Sequence, residues 1–298
     1  MLRDYDGPAR VIVGYDGSAE AHAALRYGVA DALERGADLV LVNAVDDMVL
    51  GSAWGVVFDV ETIREAARRL LRSAAEQAVA LGMPSDRLRH DVELGGPAAV
   101  LARHSEAASL IVVGRSSTAG ERAFVGSTAV GLASTAHCPV VVVATDHVER
   151  GERRGWIGVG VSTAAKGEAA LEWALREAQR HGGGVRVISV AKAAAGRWFG
   201  GGSIPPEVRD ELLRVTKQRV AELVAPLAAA HPEVPVEIDV SYGTPMDVLV
   251  PKTEELDLLV VGDHPGFPSY TIGGTTRGLM AHAHCPVVTI LARDGHGS

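Results

Sequence analysis

The chain has 298 residues, 47% hydrophobic and 22% charged, which gives room for two domains of common size and argues against disorder. With 29 Lys and Arg against 37 Asp and Glu, the formal charge of -8 argues against a broad nucleic-acid surface and only mildly favours solubility. No apolar run approaches the roughly 18 to 20 residues that span a bilayer, and the opening MLRDYDGPAR lacks a signal-peptide core, so the sequence predicts a cytoplasmic protein with no membrane partner.

Residues 9–15 read as a strand, followed by Asp16-Gly17-Ser18 and a helix to about Arg35 with Ala24, Leu25, Gly28, Val29 and Ala32 on one face. A second strand covers 38–45. Residues 46–59 carry Gly, Trp and Met without clean periodicity and read as a mobile crossover loop. A long helix is predicted over about 60–81, where Ile63, Ala67, Leu70, Leu71, Ala74, Ala78 and Leu81 approximate helical spacing. A more polar strand at 89–93 precedes a helix that Pro97 opens at its favoured first position and that runs to Ala107.

Residues 110–113 form a short β-branched run closed by Gly114, which reads as a buried strand ending in a turn that tolerates positive φ. The chain then travels to Gly126, with Ser127 as candidate N-cap of a helix over Ala129 to Ala136, and a fifth strand covers 140–143. A strand, a glycine turn and a helix N-terminus together make an anion site, because unpaired N–H groups and the positive helix end point at one place.

The pattern returns. Gly14 matches Gly160, Leu25 matches Leu171, Gly114 matches Gly262, and His137-Cys138-Pro139 matches His284-Cys285-Pro286, so a unit of about 146 residues is duplicated in tandem. A period this long means two complete domains, 1–147 and 148–298, with the boundary in the polar stretch 145–155. The second copy predicts strands at 156–161, 185–190, 236–241, 256–261 and 287–291, and helices at 166–181, 206–230, 245–254 and from Thr275. Strands alternating with helices imply α/β domains, each a doubly wound parallel sheet with right-handed crossovers.

Cys138 and Cys285 occupy equivalent positions and read as buried structural thiols, not a bridge. His282, His284 and Cys285 look like a metal cluster, but a helix leading into a strand points them apart and zinc needs a fourth ligand or water, so no metal site is expected. Arg115 and Arg122 are placed to approach a phosphate but read more readily as solvated loop arginines, and Trp54, Trp198 and Phe199 as loop aromatics that pack on the sheet as readily as they cover a cleft.

Both copies resemble the universal stress protein family, on the strings VIVGYDGSAEAHAAL, Gly95-Gly96-Pro97-Ala98, and GST followed by AHCPVVVV. The resemblance implies strand order 3-2-1-4-5 and a nucleotide cleft where strands one and four diverge. It implies that Asp16 and the backbone around Tyr15 and Ala44 face adenine and ribose, and that Val113, Gly114, Gly126, Ser127 and Thr128 line the phosphate route for ATP, with or without Mg2+. In the second copy the implied nucleotide positions are Gly160, Val190, Val261, Gly262, Gly273 and Thr275. The family's ATP signature is glycine, two residues, glycine, nine residues, glycine, then Ser or Thr. Eleven residues separate Gly114 from Gly126, one fewer than the signature has, and Ser117 replaces its second glycine, with Gly120 nearby. The second copy departs further: Ser162 replaces Asp16, ten residues separate Gly262 from Gly273, Pro265 and Pro268 remove backbone donors, and Gly274 stands at the Ser127 position.

The fifth strands would be apolar sheet edges, which invite pairing. In the family they pair between domains, so an intramolecular pseudo-twofold dimer of the two halves is expected, with further assembly of two chains left open. Three functions follow: an ATP-binding stress-response or signalling module whose occupancy a protein partner senses, a nucleotide-free interaction scaffold, and a slow ATP hydrolase. No Walker sequence or paired acid and base supports catalysis, so no catalytic residue is assigned.

Overall fold

The computed structural model describes residues 9–46, 60–116, 125–148, 153–162, 167–192, 205–263 and 272–291. Outside them lie most of the expected crossover loop, including Trp54, and the positions of Ser117, Gly120, Arg122, Trp198, Phe199, Pro265 and Pro268. The helices and strands fall into two compact units, one within Met1–Gly151 and one within Glu152–His264 and Gly273–Ser298.

In the first unit, β1 (Arg10–Gly14) leads to α1 (Ala19–Arg35), β2 (Asp38–Val45), α2 (Val60–Ala80), β3 (Leu88–Leu94), α3 (Pro97–His104), β4 (Leu110–Gly114), α4 (Ser127–Thr135) and β5 (Val140–Val143). The strands pair in parallel in the order β3-β2-β1-β4-β5. The inner strands are runs of Val, Ile and Leu because helices cover both faces of a parallel sheet: Val11, Val13, Leu39, Leu41, Leu110, Ile111 and Val112 are fully buried. Helix α1 begins at Ser18, whose Oγ accepts the Ala21 N–H at 3.1 Å, and stops at Gly36 in the left-handed region, φ 62°. It buries Ala24, Leu25, Gly28, Val29 and Ala32. Helix α2 buries Ala67, Leu71, Ala74 and Ala78, which the 3.6-residue period puts on one stripe. Leu81 lies beyond the helix end and is 45% exposed.

The second unit repeats this with β6 (Trp156–Val161), α6 (Glu168–His181), β7 (Gly184–Ala191), α7 (Pro206–Ala229), β8 (Val236–Tyr242), α8 (Pro245–Lys252), β9 (Leu258–Asp263), α9 (Gly274–His282) and β10 (Val287–Leu291), α5 being the short helix Thr145–Val148. Its strands pair in parallel in the order β8-β7-β6-β9-β10. Helix α6 stops at Gly182, φ 67°, the counterpart of Gly36.

Helix α5 occupies part of the polar stretch read as the domain boundary: the Ala144 N–H donates to His147 Nδ1 at 3.0 Å, which starts a turn that polarity alone does not announce. The helices expected to run to Ala107 and Glu254 end earlier, in the 3-10 turns Ser105–Ala107 and Thr253–Glu255. In each, a hydroxyl donates to a carbonyl three residues back, Ser105 Oγ to Ala102 and Thr253 Oγ1 to Val250, both at 2.5 Å. Each oxygen also accepts a long-range N–H, from His137 or His284, at 2.8 Å. The local bond competes with helix continuation, and the distant one anchors the approach to the fifth strand.

Both cysteines are buried and unbridged. Burial pushes the Cys138 thiol up to about 12, so it stays protonated at neutral pH.

Candidate functional site

The C-terminal ends of β1, β2 and β4 and the start of α4 enclose a cleft in the first unit, beside the place where the chain leaves β1 toward one face and β4 toward the other. Its residues come from five segments, Pro97 and Leu101 of α3 among them. Gly14, Tyr15, Asp16 and Ser18 follow β1, Val42 and Ala44 end β2, Val113 to Ser116 end β4, and Gly126 to Ala129 open α4. All eight first-copy residues expected from the sequence, Tyr15, Asp16, Ala44, Val113, Gly114, Gly126, Ser127 and Thr128, line this one cleft of about 120 Å3.

Backbone contacts fix the loop after β1. The Tyr15 N–H donates to the Val42 carbonyl at 2.9 Å, and buried Asn43 donates from Nδ2 to the Tyr15 carbonyl at 2.7 Å. The Tyr15 ring is buried and its hydroxyl meets His22 Nδ1 at 2.9 Å. Burial, and then the Asp16 charge, raise the Tyr15 hydroxyl above its usual range. Asp16 is exposed and accepts the Ser18 N–H at 3.0 Å, so it shapes the turn while Ser18 caps the helix. Gly17 takes φ 83°, a conformation that side chains disfavour. Nothing local singles out Asn43, whose partner is 28 residues away.

At the end of β4 the structure corrects two expectations. Gly114 does not take a positive φ; it is needed because a Cβ there would lie 2.8 Å from the Glu20 backbone carbon and from its Cβ. Arg115 is buried, not solvated, and its Nη2 lies 3.4 Å from Glu20 Oε1. Burial raises the Glu20 carboxyl above its usual range, opposed by the attraction of Arg115. The Arg115 backbone also staples the loop: its N–H donates to the Val143 carbonyl and its carbonyl accepts the Gly126 N–H, each at 2.8 Å.

That staple places the chain reversal one residue before the predicted cap. Gly126, φ -61° and ψ 150°, is the N-cap of α4, and Ser127 is its first helical residue. No side chain caps this helix, so the first-turn N–H groups face the cleft without an intrahelical acceptor. The arrangement can hold an anion at Gly126 to Thr128 and a flat, less polar group against Val42, Ala44 and Leu101.

In the second unit the candidate residues reach the same end of the sheet. Gly160 is the penultimate residue of β6, Val190 lies near the end of β7, Val261 and Gly262 lie just before the end of β9, Gly273 caps α9 without a side-chain bond, and Thr275 lies in its first turn. Gly160 pairs in register with Val261, and its missing Cβ would lie 3.3 Å from the Val261 side chain. Val190 adds two methyl groups where the first unit has Ala44.

Two charged constellations lie away from these places. A wide groove of about 710 Å3 is lined by Arg186, Lys217, Asp239 and Glu255, among others, and is larger than the first-unit cleft. It is open, and much of its charge is satisfied internally: Arg186 meets Glu255 at 2.8 Å and Glu237 at 3.2 Å, and Asp239 pairs with Lys252. On β3, Glu93 accepts from Arg103 at 2.6 Å and meets His104 Nε2 at 2.5 Å, with Asp91 close by. Burial opposes ionisation of Glu93, but these two bonds outweigh it and hold the carboxyl below its usual range. His284 meets Glu254 at 3.6 Å, while Cys285 is buried.

The universal stress protein family model matches residues 8–144 and again 156–290. The chain belongs to the universal stress protein family. A universal stress protein of Mycolicibacterium smegmatis is 28% identical over 294 residues, covering 95% of this chain and 97% of its own length. One from Mycobacterium tuberculosis is 29% identical over 283 residues, covering 94% and 95% respectively. Among solved structures, a universal stress protein from Archaeoglobus fulgidus superimposes with a TM-score of 0.67 at 17% identity, over 95% of this chain and 98% of that one, a likeness of fold. Tandem universal stress protein domains thus account for both sheets. Among the described residues, no helix is long and apolar enough to cross a membrane.

Proposed function

We propose that the first unit of this universal stress protein binds an adenine nucleotide, ATP in the first instance, and that occupancy is read by a protein partner in a cytoplasmic stress-response or signalling role. The observation that carries this proposal is the uncapped N-terminus of α4, opened by Gly126 and facing the ends of β1 and β4 across a narrow cleft. The triphosphate would lie along Gly114, Gly126, Ser127 and Thr128, and the nucleoside against Asp16, Val42 and Ala44.

The proposal assigns signalling by occupancy and not by turnover. Among the described residues lining the cleft, the ionisable side chains are Tyr15, Asp16 and Arg115. Burial favours the protonated form of the first, Asp16 is engaged by the Ser18 N–H, and Arg115 lies beside Glu20, so the proposal assigns no general acid or base to the cleft. The proposal extends to a pseudo-twofold pairing of the two halves through their fifth strands, on the edge-strand argument.

Calorimetric titration of Mg-ATP into nucleotide-stripped protein tests it, with Asp16→Ala and Gly126→Glu attacking opposite ends of the cleft. A Cβ at Gly126 meets nothing closer than 3.4 Å, so the glutamate repels phosphate without disturbing packing. One site per chain, lost in both variants, is expected. No binding at millimolar ATP returns the protein to the scaffold class.

A further inference from the structure

The last residue of α3 meets the edge strand of the first-unit sheet at a cluster outside the cleft. Asp91 and Glu93 stand two positions apart on β3, so the pleat sends both side chains to one face, where α3 ends at His104. His104 Nε2 lies 2.5 Å from Glu93 Oε1, and the ligand atoms of Asp91, Glu93 and His104 all fall within 4.8 Å of one another. Arg103 holds the other Glu93 oxygen, Oε2, at 2.6 Å, which leaves Oε1 turned toward the imidazole. Asp91 is exposed and has no hydrogen-bond or ion-pair partner among the described residues. A metal about 2.1 Å from each donor sets its donors roughly 3–3.5 Å apart. Rotation of the Asp91 side chain and a small opening of the Glu93–His104 contact therefore bring all three groups onto one ion. None of the three lines the cleft.

The second unit builds the same corner and fills it differently. Sheet register sets Asp91 beside Val42 and Glu93 beside Ala44, and it sets Asp239 beside Ile188 and Ser241 beside Val190, so Asp239 stands for Asp91 and Ser241 for Glu93. Helices α3 and α8 both start at proline and run 8 residues, which puts Lys252 in the place of His104. There the Lys252 ammonium pairs with Asp239, whose other carboxylate oxygen accepts from Ser241 Oγ at 3.3 Å. The second corner carries its cation on its own chain, on a group with three donors and no acceptor. The first corner lacks that ammonium and has an imidazole and a second carboxylate instead, both of which ligate metals.

We propose that Asp91, Glu93 and His104 bind a divalent transition-metal cation of the Zn2+ class, which takes in the first unit the place that the Lys252 ammonium takes in the second. One imidazole nitrogen with two carboxylates suits such an ion better than Mg2+ or Ca2+, whose ligands are oxygens. Three side chains leave a further position to water. The ion ties the end of α3 to the edge strand, as the Lys252–Asp239 pair ties α8 to β8.

Calorimetric titration of Zn2+ into the full, tag-free, chelator-treated chain tests this, with each variant checked for cooperative thermal unfolding. One saturable site per chain, unchanged by excess Mg2+, is expected. Asp91→Asn, at an exposed position, should keep the fold and weaken Zn2+ by more than about 10-fold, the least that even an outer partner of a metal ligand costs. His104→Lys rebuilds the ion pair of the second unit, so it should fold like the unaltered chain and lose the site. His90→Gln, which the pleat turns to the opposite face, should bind Zn2+ within about twofold of the unaltered chain. Absence of saturable binding at submillimolar Zn2+, binding that survives Asp91→Asn and His104→Lys, equal loss in His90→Gln, or displacement by Mg2+ overturns the assignment. Each of these outcomes leaves the nucleotide cleft standing.

Discussion

The Tyr15 carbonyl takes a hydrogen bond from Asn43 at 2.7 Å, and the Val161 carbonyl, at the matching place in the second unit, takes one from Ser189 at 3.0 Å. Ser105 and Thr253 likewise perform one task in two units, each anchoring the N–H of a histidine at 2.8 Å before the fifth strand. Even the side pairs to Glu106 and Glu254 recur, at 3.8 and 3.6 Å. Among the residues that line the first-unit cleft, Val113, Gly114, Gly126 and Thr128 match Val261, Gly262, Gly273 and Thr275, but others differ at their counterparts: Asp16 and Ser162, Ala44 and Val190, Arg115 and Asp263, Ser127 and Gly274. The devices that hold strands and turns depend on geometry, which a duplicated fold retains, and a change of donor from Asn to Ser satisfies the same carbonyl. Side chains at a cleft answer to a ligand, and the two copies are free to answer differently there.

The comparison breaks first at Gly114. Gly114→Val forces side-chain atoms into the Glu20 backbone and should destabilise the first unit by about 2–3 kcal/mol, seen as a lower urea midpoint, whereas Gly126→Val, with its nearest contact at 3.4 Å, should move it little. Equal effects would mean that close approach is not what demands glycine at 114. Asn43→Ala and Ser189→Ala come next. Each strands a carbonyl, at about 1–2 kcal/mol for the buried amide and somewhat less for the hydroxyl, but only Asn43→Ala should weaken Mg-ATP, because only the Tyr15 loop lines the proposed site.

Much of the fold was legible because it is written locally. The β-branched runs at Asp38–Val45, Val140–Val143, Trp156–Val161 and Val287–Leu291 form strands with the bounds the sequence predicts. The helix stop at Gly36 and the start of α3 at Pro97 are equally local. What the sequence concealed depends on distant partners. Ser127 looked like an N-cap, but the Gly126 bond to the Arg115 carbonyl reverses the chain one residue earlier. Arg115 looked solvated because its partially buried partner, Glu20, is 95 positions away. Ser105 and Thr253 looked like helix, since nothing local announces the histidine N–H groups they receive. The cleft residues were found through their family resemblance and strand-end positions, while Asn43 carries no such mark.

Smaller effects sharpen the parallel. Ser105→Ala and Thr253→Val should each cost about 1 kcal/mol, and similar losses in urea unfolding would establish the hydroxyl anchors as equivalent; a loss in one unit alone would separate them. The weakest effect belongs to Glu93, which has no acidic counterpart where Ser241 stands. Its carboxyl is held below the ordinary 4.5 in the folded chain, so its contribution is present above that pH and fades as pH falls through the folded value. Glu93→Gln should therefore lower the melting temperature at neutral pH and converge with the unaltered chain as pH falls below the lowered folded value; a constant difference at all pH values would remove the ionic contribution.

Hydrogen exchange read by mass spectrometry, with and without saturating Mg-ATP, tests the inequality of the two units most directly. New protection in peptides covering 14–18, 42–44, 113–116 and 126–129, with none in those covering 160–162, 188–191 and 273–276, is the predicted result. Protection in the second set, or in neither, would contradict a nucleotide site confined to the first unit.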